Sequence, residues 1–410
     1  MRTSLIAFLA ASVLAAPPAL ASSVWVVDAS NGPGTDFTTI QAALAVAGEG
    51  DTLLLRTGNY AGFVTLDDFA LSIIGDRGAN VTIDGLVVQN LSAGKSMVVR
   101  GVRLSPLALT LQTTATFTNC AGVVHVEGTT ITDAPLTPAG SVRVTSCASV
   151  TFARCTIYES AAAVNGVASL AVNGSNVAVF GCTVQGGVGQ PALVGVSPAT
   201  AAMSVTDGVA TISASTLIGG TGGTPGSLVP CSNGGDGRGA LRLDGTGLSV
   251  VEVIDSVLTG GNGGGAFPPC TPGNAGPPTE VVAGTLVNRA GVAPRFRFDS
   301  PLRTGSPWSF ELDALPGSFF WIVIGVVPGP IQPFDPVLNG VLTVGAPQLL
   351  VPLVALPPSG SLDESVLPGT FVLPPGLTHL PLFFQPLTSE PTFKLVAGTP
   401  SALLLLDPSF

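Results

Sequence analysis

A short pattern of apolar positions recurs along the middle of the chain: apolar, any, apolar, any, any, small, any, apolar. Six copies begin at residues 97, 124, 150, 177, 210 and 251, and Leu71–Asp76 is an imperfect earlier copy. The sixth positions of these copies are separated by 26, 27, 26, 27, 33 and 41 residues. A second short apolar strand precedes several of the copies, for example Val142–Val144. This period, with two or three strands per repeat, predicts a right-handed parallel β-helix whose coils bury their apolar faces by stacking.

Alternation within each repeat strand predicts one inward column, because successive side chains of a strand point to opposite faces. The predicted members of this column are Val99, Val126, Phe152, Val179, Ile212 and Val253. The longest interval contains a glycine-rich insertion at 219–239, and a second such insertion at 260–278 follows the last copy. We expect both to be loops on the same side of the β-helix.

Different patterns mark the two ends of the repeats. Residues 36–47 predict a short amphipathic helix that caps the first coil, with Asp36 or Thr38 as N-cap and Gly48 as C-cap. Beyond about residue 290 glycine becomes less frequent, and apolar strands alternate with Pro/Gly turns, which is typical of a β-sandwich. The prediction is therefore all-β, with a β-helix at 22–288 and a small C-terminal sandwich at 289–410, the latter a candidate cover for the last coil.

The first residues predict export. Arg2 precedes the apolar run 5–16, and Ala19-Leu20-Ala21 forms a cleavage site before Ser22, as in a secretory signal peptide at 1–21. No other segment is long enough to predict a membrane span. The expected location is therefore secreted, extracellular or at the cell surface.

Charge narrows the class of partner. Only 10% of the residues are charged, the net charge is −10, and the chain has two lysines, Lys95 and Lys394. This excludes the basic patch that a nucleic-acid partner needs. It also disfavours polyanions such as pectate, unless calcium bridges them. A polysaccharide or an extracellular protein remains as the expected partner.

The N-terminal segment resembles a known superfamily. Four short runs resemble the start of pectin-lyase-like β-helix proteins, and most closely that of pectin methylesterases. They are Val26-Val27-Asp28, Asp36-Phe37-x-Thr39-Ile40-Gln41-x-Ala43, Gly50-Asp51 and Thr57-Gly58-Asn59-Tyr60. The resemblance covers roughly residues 24–85 and implies the β-helix fold.

The resemblance carries no catalytic residue over. The sequence lacks the catalytic motif sets of three enzyme families of this superfamily. These are the Asp-Phe-Ile-Phe-Gly run of pectin methylesterases, the Asp-Asp, Gly-His-Gly and Arg-Ile-Lys motifs of polygalacturonases, and the Trp-Ile-Asp-His and Arg-x-Pro-x-x-Arg motifs of pectate lyases. The two histidines, His125 and His379, have no triad or metal spacing.

Two acids are the candidate binding residues. Asp133 and Glu159 each lie two residues beyond a repeat strand and are 26 residues apart, so they should stack in neighbouring coils. Such a pair could hold calcium or act as acid and base; the alternative is a pair of solvated turn acids. Arg100 and Glu127 also stack, and predict a surface ion pair of small energetic value.

Six cysteines in an exported chain predict disulfides. Cys120 and Cys147 are one coil apart, as are Cys155 and Cys182, and Cys231 and Cys270 lie in the two glycine-rich insertions. The predicted bridges are 120–147, 155–182 and 231–270; alternatively, the four coil cysteines are reduced core residues.

The sequence thus favours a non-catalytic secreted β-helix protein that presents a binding face to a polysaccharide or a partner protein. No cofactor is predicted, although calcium is possible. The alternative is a polysaccharide lyase or glycoside hydrolase of unrecognised type, acting near Asp133 and Glu159.

Overall fold

The architecture comes from a computed structural model, which describes most of the chain after the predicted signal peptide. The described residues are 22–106, 113–133, 140–159, 166–190, 199–225, 233–266, 268–307, 309–332, 338–346, 348–363, 370–389 and 395–410. They contain one short helix, α1 (Ile40–Leu44), and 34 β-strands. None of their helices is long and apolar enough to span a bilayer.

The first wall of the β-helix is a ten-stranded parallel sheet, sheet 1. Its strands, in spatial order, are β1 (Val24–Val27), β2 (Thr52–Leu55), β4 (Leu71–Gly75), β6 (Ser96–Arg100), β9 (Val123–Glu127), β12 (Ser149–Ala153), β15 (Asn176–Phe180), β18 (Val209–Ser213), β21 (Val250–Ile254) and β24 (Thr285–Arg289). Each strand belongs to one coil, so the sheet runs the length of the β-helix.

The other walls form a 14-stranded sheet that divides into two rows at its long strands β3 (Gly58–Asp67) and β5 (Val81–Gln89). Row A, which follows sheet 1 in each coil, contains β7 (Arg103–Leu104), β10 (Thr130–Thr132), β13 (Thr156–Tyr158), β16 (Thr183–Gln185), β19 (Thr216–Ile218) and β22 (Val257–Thr259). Row B, which precedes sheet 1, contains β8 (Ala115–Thr118), β11 (Val142–Thr145), β14 (Leu170–Asn173), β17 (Met203–Thr206), β20 (Leu241–Asp244) and β23 (Thr279–Val281).

The predicted register is confirmed in sheet 1. Val99 pairs with Val126, and the pairing continues without slippage through Phe152, Val179 and Ile212 to Val253. Every member is buried in one continuous apolar core. A one-residue slip would turn the whole column to the opposite face, which is why the apolar alternation fixes the register so firmly.

Two ladders of left-handed residues make the corners of the coils. One lies between row B and sheet 1, at Asn90, Asn119, Ser146, Gly174 and Asp207. The other follows sheet 1, at Gly101, Gly128, Arg154, Gly181, Ala214 and Asp255. Glycine and asparagine tolerate positive φ best, so most of these positions carry residues suited to a tight corner.

The sequence pattern predicts that the glycine-rich insertions are loops. In the structure their described parts are segments that pack closely against one another. Gly219 and Gly222 donate backbone hydrogen bonds to the carbonyls of Thr259 and Asn262, three residues apart on both segments. A period of three is that of polyproline II-type chains. A Cβ on Gly261 would lie 1.9 Å from the carbonyl oxygen of Gly220. The segments therefore pack backbone against backbone as a glycine bundle, defined as the described parts of 186–190, 219–225, 233–239, 260–265 and 272–278.

The helical cap is shorter than predicted. The N-cap is Thr39, whose side chain accepts from the Ala42 N–H, and α1 ends at Leu44 rather than near Gly48. Asp36 instead accepts the backbone N–H of Val26 at 2.8 Å. Ile40 and Ala43 are fully buried and close the apolar core of the first coil.

The C-terminal region is a two-sheet sandwich. Its smaller sheet contains β25 (Arg295–Phe298), β27 (Phe310–Asp313) and β31 (Ser361–Asp363); its larger one contains β26 (Leu302–Arg303), β28 (Phe319–Gly325), β29 (Leu338–Asn339), β30 (Leu349–Ala355), β32 (His379–Ser389), β33 (Leu395–Ala397) and β34 (Ser401–Leu406). Phenylalanines and leucines of both sheets, such as Phe296, Phe298 and Phe384, fill the space between them.

The sandwich lies along the side of the β-helix and not over its last coil. Apolar residues on the outer face of its larger sheet, such as Phe383 and Leu404, pack against outward residues of sheet 1, such as Val98 and Ile74. A second contact joins Phe180 to Ile331 and Val341. Sheet 1 is therefore covered on both faces over most of its length, as expected for a parallel sheet, and its last strand, β24, stays largely exposed.

The two predicted coil disulfides are absent. Cys120, Cys147, Cys155 and Cys182 are buried free thiols, and the Cys155 N–H lies 3.2 Å from the Cys182 sulfur. Stacked in-register residues hold their Cβ atoms roughly 4.8 Å apart, whereas a disulfide needs about 3.8 Å. Cys270 is disulfide-bonded, but Cys231 lies outside the described residues, so the 231–270 bridge stays a prediction.

Candidate functional site

The structure stacks the two predicted acids but buries both. Thr130 pairs with Thr156, which places Asp133 and Glu159 at equivalent positions of neighbouring coils. They are only 7% and 3% exposed, so the interpretation as solvated turn acids is wrong. A carboxylate oxygen of Glu159 accepts from the Thr200 hydroxyl at 2.7 Å and lies 3.3 Å from that of Ser169.

A larger charged cluster lies on the outer face of sheet 1, where the sequence predicted a surface ion pair. Glu127 is 1% exposed and forms salt bridges with Arg100, at 2.9 Å, and with Arg154. His125, two residues earlier on the same strand and face, lies 3.1 Å from the second carboxylate oxygen. The surface ion pair is therefore a buried cluster, because the sandwich covers this face.

The sandwich supplies further partners to the same carboxylate. Glu127 accepts the backbone N–H of Ala402 at 2.6 Å and the Ser401 hydroxyl at 3.2 Å. Burial raises the pKa of Glu127, but the guanidinium groups of Arg100 and Arg154 outweigh it and hold that pKa well below its usual range. Glu127 is thus an ionised point of contact between the β-helix and the sandwich.

Arg154 occupies an unusual backbone position. Its φ is 52°, in a corner ladder where the neighbouring coils have Gly128 and Gly181. From there its guanidinium reaches the carbonyl oxygen of Pro400 at 3.1 Å and the Ser401 hydroxyl at 3.1 Å. This corner turns a long cationic side chain towards the sandwich.

A trench runs beside this cluster, between the corners that follow sheet 1 and the edge of the sandwich at β25. It consists of two depressions of about 340 and 430 Å³ that share Arg154 and Arg297. Its floor crosses the corners of six coils, from Asp76 to Ala214. Five intervals of about 4.8 Å give it a length of roughly 24 Å.

The walls of the trench carry both signs of charge. The arginines are Arg77, Arg100, Arg154, Arg295 and Arg297, and the acids are Asp76, Glu127, Asp299, Glu311 and Asp313. Salt bridges join Arg77 and Arg297 to Asp299, at 3.1 and 3.3 Å. Thr183 and Thr216, which pair on neighbouring strands of row A, complete the wall on the side of the β-helix.

Within the described parts of the chain, neither histidine forms a catalytic set with a nucleophile and an acid in a cleft. His125 is 1% exposed and stacks edge-on against Phe383, with ring centroids 5.7 Å apart. His379 lies 2.8 Å from the Ser22 hydroxyl, and burial lowers its pKa. No group of three or more metal-ligating side chains is present among the residues that the structure describes.

Sequence reasoning missed the trench, although two signals pointed to it. The fifth position of the repeat carries Gly101, Gly128 and Gly181, so an arginine at position 154 breaks the pattern. The outward positions of sheet 1, such as Val98 and Phe180, are also apolar, which indicates a covered face. The arginines of β25 come from a distant part of the chain, and their placement could not be predicted from the repeat.

Likeness to known proteins is confined to remote structural similarity. No family model matches the chain, and no curated protein matches it. Among solved structures, it is similar to the enzymatically active domain of bacteriophage CBA120 tailspike protein 2, at 10% identity over 87% of this chain and 69% of that one, with a TM-score of 0.30. It is also similar to full-length tailspike protein 2 from the Escherichia coli O157:H7 bacteriophage, at 10% identity over 86% of this chain and 62% of that one, with a TM-score of 0.29. Likeness this remote carries no argument about activity, and the chain stands, on its own topology, as a right-handed parallel β-helix with a C-terminal β-sandwich.

Proposed function

We propose that this chain is a secreted, non-catalytic polysaccharide-binding protein, and that the trench between the β-helix and the sandwich holds the polysaccharide. The observation that carries the proposal is the shape of the trench, which is open and long and crosses six coils. A polymer lying along the β-helix axis would contact the same kind of corner in each coil. Membership of the pectin-lyase-like superfamily and export by a signal peptide belong to this proposal.

The chemistry of the walls favours a polyhydroxylated ligand over a polyanion. Sugar hydroxyls both donate and accept hydrogen bonds, and the trench offers guanidinium donors beside carboxylate acceptors. Five acids line it, including the exposed pair Glu311 and Asp313, and they offset the five arginines, so the trench has no excess of positive charge to attract a strongly anionic chain. The expected ligand is therefore a neutral or weakly charged polysaccharide.

Binding without cleavage fits the arrangement of the acids. A glycosidase needs one carboxyl group that donates a proton and a second that acts as base or nucleophile. In the trench, Asp76 is paired with Arg303, and Asp299 with Arg77 and Arg297. Both carboxylates are therefore engaged by guanidinium groups and are not left free to face a bond in the ligand.

The test is a glycan array on the chain starting at Ser22, with and without calcium, followed by titration of the best glycan. Arg295 and Arg297 both occupy exposed positions of β25 on the wall of the trench. Replacing both with alanine should weaken binding at least tenfold and leave the melting temperature unchanged. Arg143→Ala, on the outer face of row B, is the matched control. Equal binding by the double variant and the wild type would refute the trench as the site.

The alternative function is a polysaccharide lyase or hydrolase acting near Asp133 and Glu159. The stacking of two buried acids favours keeping it, because a pair of neighbouring carboxyl groups is the residue set that glycoside hydrolysis uses. Release of reducing ends or unsaturated products from the bound glycan, abolished by Asp133→Ala or Glu159→Ala, would establish it. Absence of such products is the expected result.

A further inference from the structure

The two ends of the β-helix are finished in different ways. At the N-terminal end, the outer edge of β1 is occupied, because the N–H groups of Asp36 and Phe37 donate to the Val26 carbonyl at 2.9 and 3.2 Å. The Asp36 carboxylate accepts the Val26 N–H, and α1 covers the apolar core. No further strand can be added there without displacing these contacts.

The C-terminal end has no such cover among the residues that the structure describes. There, β22, β23 and β24 are the last strands of row A, row B and sheet 1, and each has a partner strand on one edge only. Leu258 and Leu286, at inward positions of these strands, are only partly buried. The sandwich does not reach over them, because it packs along the side of sheet 1.

Exposed apolar side chains concentrate at this same end. Within the described residues 22–290, eight large apolar side chains are exposed, and six of them follow residue 208. On the final coil edges, Val257, Val281 and Val282 are 58%, 49% and 68% exposed. A terminal coil normally needs a polar outer face for solubility, and open strand edges invite pairing with another chain.

We propose that this end is an interface with a second copy of the chain, related by a two-fold axis through sheet 1 and perpendicular to the β-helix axis. The open edges of β22, β23 and β24 surround one cross-section of the β-helix. All three can form strand pairs at the same time only with another coil that has the same cross-section. The covered N-terminal end excludes head-to-tail stacking, so the partner is the same end of a second copy. Such an isologous contact closes at a dimer.

The sequence at the edges is complementary under this symmetry. The two-fold axis pairs β24 with itself, antiparallel about Val287, and brings Leu286 opposite Asn288 of the second copy, both at inward positions. It also exchanges the rows, so that β22 of one copy pairs with β23 of the other. In the register that keeps inward residues facing inward, Leu258 lies opposite Val281 and Val257 opposite Val282. All the exposed valines of the edge are covered, and no like charges face each other across these strands.

Sedimentation equilibrium of the chain starting at Ser22 tests the proposal, with a dimer as the expected result. A double variant, Val257→Asp with Val282→Asp, should sediment as a monomer with an unchanged circular dichroism spectrum, because both side chains are largely exposed in the single chain. Val46→Asp, 54% exposed near the opposite end, is the control and should remain dimeric. A monomeric wild type at the highest soluble concentration overturns the proposal, as does a dimer that only Val46→Asp dissociates.

A cross-link fixes the register. With Val257→Cys and Val282→Cys in one chain, oxidation should give a covalent dimer in which peptide 257 of one copy is joined to peptide 282 of the other. A cross-link between two 257 peptides or two 282 peptides would contradict the exchange of rows. Both outcomes are independent of the trench, because glycan binding is measured separately.

Discussion

At the scale of single residues, Glu127 shows how a charge can be buried without being left unpaired. Its carboxylate is held by Arg100, Arg154 and His125 from the β-helix and by the Ala402 N–H and Ser401 hydroxyl from the sandwich. Removing one partner of a buried ion pair is costly, because the remaining charges keep their desolvation penalty. Glu127 therefore controls the contact between the two parts of the chain.

Glu127→Gln should lower the free energy of unfolding by about 3–5 kcal/mol, since it leaves the buried Arg100 and the part-buried Arg154 without this counter-charge. Urea unfolding measures this loss. Glu311→Gln, at an exposed position of β27, is the control and should change the free energy by no more than about 0.5 kcal/mol. Equal stability of Glu127→Gln and the wild type would show that the cluster carries no net stabilisation.

The lowered pKa of Glu127 predicts that the stability lost in Glu127→Gln depends on pH. The pKa of Glu127 is lowered in the folded state, so its stabilising contribution is fully present above the unfolded value of about 4.3 and is lost as pH falls further. The stability difference between wild type and Glu127→Gln should therefore be largest at neutral pH and shrink below roughly pH 4. Unfolding curves at several pH values from 7 to 3 give this difference directly. A difference that grows as the pH falls would contradict a lowered pKa of Glu127 in the folded state.

At the scale of elements, the glycine bundle shows how a low-complexity segment can be ordered. Chains with a three-residue period can approach closely only where no Cβ intervenes. A Cβ on Gly222 or Gly260 would lie 1.8 Å from a neighbouring carbonyl oxygen. Hydrogen bonds such as that from the Gly264 N–H to the Gly235 carbonyl, 2.8 Å, then satisfy backbone groups that no strand ladder reaches.

Gly261→Ala should destabilise the bundle by about 1–3 kcal/mol, because its Cβ would overlap the backbone of Gly220. Hydrogen exchange at residues 219–224 and 260–265 should accelerate with it. Gly265→Ala is the matched control, since its nearest neighbour would be the Thr224 side chain at 3.5 Å. Similar exchange in the two variants would mean that the bundle is not close-packed.

At the scale of the whole molecule, the sandwich and the β-helix share apolar surface along sheet 1. Val98, Phe180 and Ile254 each lie in clusters that contain residues of the C-terminal region. Salt bridges from Arg303 to Asp76 and from Arg77 to Asp299 cross the same boundary. Such continuous apolar burial makes the two parts interdependent, unlike domains that are joined by a linker alone.

Phe180→Ala should lower the melting temperature of the entire chain in a single transition, with a loss of about 3–5 kcal/mol in the free energy of unfolding. Scanning calorimetry measures both quantities. Phe319→Ala is the control, because that phenylalanine is 59% exposed and its loss should leave the midpoint nearly unchanged. Two separate transitions in the wild type would show that the parts unfold independently.

Local sequence information is enough to set the coil register and most of the corners. Apolar alternation within each repeat places Val99, Val126 and Phe152 in one column, because a slip by one residue would expose the whole set. The position of the sandwich depends instead on contacts between distant parts of the chain, and with it the burial of Glu127 and the walls of the trench.

The meeting of Arg154 and Arg297, which are 143 residues apart, is encoded in no local pattern. The coil cysteines show the same limit. The repeat period places Cys155 beside Cys182, but the spacing between stacked parallel side chains, which is wider than a disulfide allows, keeps them reduced.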